Sequence, residues 1–155
     1  MTDRELLRHA VAILAYRGAK PLRGAPPAFA SYDTGGGHTP LRLLAHISDL
    51  LNWALSHARG EGRWNSATPG TWDAEVARFH GALAAFDSHL ASDAPIEAEI
   101  TRLLAGPIAD ALTHVGQLMM LRRMTGSPVY GENYFVADIV TGRVGPDQSP
   151  PRKPF

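Results

Sequence analysis

Cysteine is absent from the 155-residue sequence, and that gap removes several chemistries at once. No disulfide framework, zinc ribbon, iron–sulfur site or thiol nucleophile is available, and a reducing cytoplasm suits such a chain. Excess charge is missing as well. Lys+Arg and Asp+Glu both number 15, so the formal net charge is zero. Nucleic-acid binding needs clustered positive charge to displace counterions. The basic groupings here are only Arg122-Arg123 and Arg152-Lys153, so no nucleic-acid partner is expected. No apolar run approaches the roughly 20 residues of a membrane-spanning helix. The charged start Met1-Thr2-Asp3-Arg4-Glu5 does not read as a signal peptide. A cytoplasmic protein without a membrane partner is the expectation. Sustained two-residue alternation of apolar and polar positions is also lacking, which argues against a half-buried sheet.

What is present is helical periodicity. Thr2 or Asp3 caps a first helix running to about residue 16, with Leu6, Leu7, Ala10, Ile13 and Leu14 on one stripe and Gly18 past its end. Residues 19–37 hold three prolines and the run Gly35-Gly36-Gly37, and read as a long surface loop of the kind that often binds something. A second helix starts after Thr39, with Pro40 in its first turn, and runs to about residue 58. After a loop at residues 64–70, Thr71 caps a third helix. There Trp72, Val76, Phe79, Leu83, Phe86 and Leu90 follow at 4-3-4-3-4 spacing, the mark of a core-facing bundle helix. A helical stretch over residues 95–104 is interrupted by Gly106-Pro107, and a fourth long helix continues to Met124. The Gly/Pro-rich remainder, about residues 129–155, reads as a wrap with a short helix near residues 134–141 and a mobile end. The expectation is one all-α domain over residues 1–155: a four-helix bundle with a long first crossover loop and a C-terminal wrap.

Seven histidines are many for this length. His9, His57 and His89 lie near helix ends among polar residues and read as solvated. His38 closes the glycine run, a mobile place for a ligand, and His80 sits one step off the core stripe as a half-buried residue. His46 differs, because it lies mid-helix in a core-directed run, where an imidazole costs free energy unless its nitrogens are paired. On the fourth long helix Asp110 and His114 are four apart and project from one face, which Gln117 and Leu121 continue. Such a pair is a usable bidentate arrangement for a divalent cation. The plainer alternative is a first-turn acid, favoured by the helix dipole, beside a core-edge histidine.

The run Asp110-Ala111-Leu112-Thr113-His114-Val115-Gly116-Gln117-Leu118, followed by Leu121-Arg122-Arg123 and Gly126-Ser127-Pro128, resembles the fourth-helix signature of the DinB/YfiT-like superfamily. His46 within Leu43-x-x-His46-Ile47-x-Asp49-x-x-x-Trp53 is similar to that family's second-helix histidine. The resemblance covers about residues 2–128. It implies a four-helix bundle, often dimeric, that holds one divalent metal, commonly nickel or zinc, through three side chains. Some members are thiol-dependent transferases or isomerases. Carried over, the ligands are His46, Asp110 and His114. The family has histidine where this chain has Asp110. A two-His, one-carboxylate set suits zinc, nickel, iron(II) or manganese. The same change is also compatible with a lost site, in which His46 and His114 form a hydrogen-bonded pair.

Asp49 and Gln117 are candidate supports that orient the ligands. Arg122 or Arg123 offers an anchor for an anionic thiol. Trp53 and Trp72 read as core, and Tyr130, Tyr134 and Phe135 as residues that close a cleft or anchor the tail. Two functions follow. One is a metal-dependent transferase or hydrolase acting on a small molecule, working as a homodimer. The other is a non-catalytic helical dimerisation module with a vestigial site.

Overall fold

In a computed structural model covering residues 1–155, the chain is all-helical. The long helices are α1 (Asp3–Leu22), α2 (Pro40–Ala58), α3 (Trp72–Ala91) and α5 (Ala109–Met124), with a single turn, α4 (Ile100–Leu103), before the last. Their starts are chemically marked. Thr2 and Glu5 form a capping box, and the hydroxyls of Thr39 and Thr71 accept from the backbone N–H groups of Arg42 and Ala74. Each oxygen satisfies one of the donors a helix N-terminus leaves unpaired.

Both α1 and α2 pack against α3 and α5, so these sequence neighbours lie diagonally across the molecule. One continuous apolar core joins all four long helices, with Leu14, Ile47, Phe79, Phe86 and Val115 among its members. No helix is long and apolar enough to cross a membrane.

Several expected boundaries move, and the helical stretch expected over residues 95–104 starts only at Ile100. First, α1 does not stop near residue 16 but runs to Leu22, and Gly18 is a packing residue. A Cβ there would lie 2.5 Å from Phe79 Cζ, so glycine is what lets α1 and α3 approach. Leu6, placed on the core stripe, is exposed. Second, Gly106-Pro107 does not break the chain into separate helices. A π-helical turn, Leu104–Ile108, carries α4 into α5. Such turns absorb one extra residue inside a helix and often occur at functional sites. Asp110 therefore does not sit at a free helix start. Third, the short helix expected at residues 134–141 is one 3-10 turn, Tyr134–Val136.

The residues after Ser127 fold across α1. Tyr16 Oη and Lys20 Nζ each lie 2.6 Å from the Glu132 carboxylate, whose side chain is fully buried. Arg17 stacks over the Tyr134 ring at 3.8 Å. The far end is tied down as well, since Phe155 N–H donates to Gly131 O and Asn133 N–H to Lys153 O. Tyr134 thus anchors the tail, while Tyr130 and Phe135 point to solvent.

Candidate metal centre

Helices α2 and α5 pack side by side and bring His46, Asp110 and His114 together. One ligand atom from each residue lies within 4.8 Å of the others. His46 Nε2 is 3.8 Å from Asp110 Oδ2, and His114 Nε2 is 3.3 Å from Asp110 Oδ1. A tetrahedral ion about 2.1 Å from each ligand separates ligand atoms by about 3.4 Å. The two observed distances, each to a different Asp110 oxygen, bracket that value, so the carboxylate lies at ligand spacing from each histidine within a set that spans at most 4.8 Å. A His–Asp–His group of this kind can hold a metal ion. The imidazoles meet edge to face, with centroids 4.8 Å apart, and no hydrogen bond joins them. The hydrogen-bonded pair expected of a lost site is therefore not formed.

The environment sharpens the point. His114 Nδ1 lies 2.8 Å from Gln117 Oε1. An amide oxygen accepts only, so Nδ1 carries the hydrogen and Nε2 is the nitrogen that faces the Asp110 carboxylate. At 3.3 Å that contact suits either a proton on Nε2 or a cation held between the two groups. Asp110 has no Lys or Arg partner to quench its charge; its ion pairs are with the two histidines alone.

Gln117 thus orients a site imidazole. Asp49 does not. Its oxygens accept from Arg78 Nη1 at 2.7 Å and from Ala67 N–H at 3.2 Å. Arg78 also binds Glu75 and Ala45 O, and Glu75 in turn accepts from Gly70 N–H. This knot pins the 59–71 connection onto α2 and α3. Its effect on the site is indirect, because the pinned loop carries Trp64 to the edge of His46 (5.7 Å between centroids) and of Trp53 (5.6 Å).

The remaining histidines divide. His9 bonds Thr141, His57 packs on Trp53, and His80 reaches Val144 O. Burial holds the His80 pKa below its ordinary value, outweighing that hydrogen bond. His89, expected in solvent, is half-buried and its Nε2 has no partner. Arg122 is not free to hold an anion, because its donors go to the carbonyls of Pro21, Arg23 and Gly24 at the end of α1 and to Ser127.

Three residues near the site were not singled out for it in the sequence: His38, Arg42 and Trp64. A cleft of about 310 Å³ is lined by Gly37, His38, Arg42, Leu43, His46 and His114. A second, of about 420 Å³, shares His38, Leu43 and His114 and continues along α5. The signal for Arg42 was its place one helical turn before His46; Trp64, in a loop, carried none. Comparison of the chain with protein-family models, curated proteins and solved structures found no match.

Proposed function

We propose that the protein is a DinB-like metalloprotein that binds one divalent transition ion, zinc or nickel, through His46, Asp110 and His114, and works as a metal-dependent transferase or hydrolase. The observation that carries this reading is the convergence of three donor atoms, two neutral and one anionic, with no Lys or Arg to neutralise the carboxylate. Two imidazoles and a carboxylate suit these ions, with iron(II) and manganese as the next choices. Once bound, such an ion supplies Lewis-acid polarisation or an activated water. The chain's own part is positional. Gln117 fixes the His114 ring, the α2–α5 packing fixes the spacing, and Trp64 packs edge to face against His46.

Element analysis of untagged protein, expressed with metal supplied, tests this. Uptake near stoichiometry is expected, and less than about a tenth of an equivalent of any transition metal sinks the reading. His114→Ala should abolish uptake while His9→Ala, a change on α1 that removes a hydrogen bond to Thr141, retains it. Equal binding by both variants would show the ligands to be misassigned.

A further inference from the structure

The two clefts beside His114 differ in character from the rest of the surface around the site. The larger is lined along α5 by Met120, Leu121 and Met124, faces Leu43 of α2, and ends at Gln117 and His114. Met120 and Met124 are each 54 % exposed, an apolar step on a helix that nothing in the chain covers. Its volume of about 420 Å³ falls in the range of small-molecule pockets. The neighbouring cleft places Arg42 beside His46, and its guanidinium is held by Gly37 O at 3.1 Å.

Charge separates this side of the site from the other. No carboxylate lines either cleft. Beside Trp53, by contrast, a cavity of about 570 Å³ is lined by Glu61, Glu97 and Glu99, of which Glu99 pairs with Arg102 in the same lining. With a divalent ion on two neutral imidazoles and one carboxylate, the centre carries one net positive charge and Arg42 adds another. The site histidines line the two clefts that hold no carboxylate, and neither of them lines the cavity that holds the glutamates.

From this we infer that the ligand of the site is a small amphipathic anion, with a carboxylate head at the metal centre beside Arg42 and an apolar tail on Leu43, Met120, Leu121 and Met124. The inference rests on the metal reading and adds the class of molecule. An anionic head is drawn by the charge at His46 and His114. A tail of several methylenes gains affinity along this cleft, because methionine side chains adapt to irregular apolar shapes.

The test uses cobalt(II)-loaded protein, whose visible spectrum reports the metal, titrated with straight-chain carboxylates from acetate to hexanoate. Affinity should rise about twofold to fourfold with each added methylene. The double variant Met120→Gln, Met124→Gln should still take up cobalt but lose the dependence on chain length. Arg42→Gln should weaken every member of the series by roughly the same factor, twofold to fivefold. A flat series with cobalt bound overturns the inference and leaves the metal reading standing, whereas failure to take up cobalt overturns both. A methionine face covered by a second copy of the chain would give a flat series and a shift in sedimentation in the double variant, and would also overturn it.

Discussion

Asp110 holds two imidazoles at one carboxylate, and replacing it separates charge from geometry. Asp110→His supplies a third neutral donor and should keep metal binding, whereas Asp110→Ala should lose it, as competition with a chromophoric chelator would report. Gln117→Ala removes the acceptor on His114 Nδ1 and should lower metal affinity about 10- to 100-fold without unfolding the protein. Another single residue governs stability far from the site. Glu132 accepts from Tyr16 and Lys20 in a buried setting. Glu132→Ala leaves those donors unpaired and should cost about 3–5 kcal/mol in urea denaturation. Asp110, His114 and Gln117 could be read from helical spacing, because i, i+3 and i, i+4 neighbours share a face in any helix, and His46 stood out as an imidazole in a core-directed run. Asp49 could not. The residue lies one turn from His46 on the same helix, but its partners Ala67 and Arg78 come from elsewhere in the chain.

Helix α1 shows how an element can mislead when read alone. Glycine is a common helix terminator, yet Gly18 stays inside α1 because Phe79 of α3 occupies the space a side chain would need. Gly18→Ala in a solvated helix would stabilise by about 1 kcal/mol. Here it should destabilise by about 1–3 kcal/mol, through overpacking against a buried ring. Thermal unfolding decides the sign. The π-helical turn at Leu104–Ile108 was likewise hidden, since proline in a helical pattern normally reads as a break. In the 59–71 connection, Asp49→Ala frees Ala67 N–H and one arm of Arg78. That variant should raise cleavage by a nonspecific protease between residues 61 and 71 and change Trp64 fluorescence, with α2 and α3 intact.

Across the molecule, acid should weaken the fold in two steps. Burial depresses the His80 pKa below its ordinary 6.5, so the unfolded chain takes up that proton first and stability falls as pH drops below that value. Burial pushes the Glu132 carboxyl up, but hydrogen bonds from Lys20 and Tyr16 outweigh it and hold the group below its ordinary 4.5. Its contribution is therefore present at neutral pH and lost as pH falls below that value. Urea midpoints of chelator-treated protein at pH 7.5, 5.5 and 4 should fall in that order, and His80→Gln should flatten the first interval.

The amino-acid sequence by itself determined the helical class, the helix starts near Thr2 or Asp3, after Thr39 and at Thr71, and the face shared by Asp110, His114 and Gln117. All of these depend on neighbours within a few residues, where periodicity and capping chemistry act. Only the tertiary structure decided that His46 meets that face, that Trp64 and Arg42 flank it, and that Asp49 serves a loop instead. Those meetings depend on how α2 packs against α5 and where a long connection comes to rest, and both are set by contacts between residues distant in sequence.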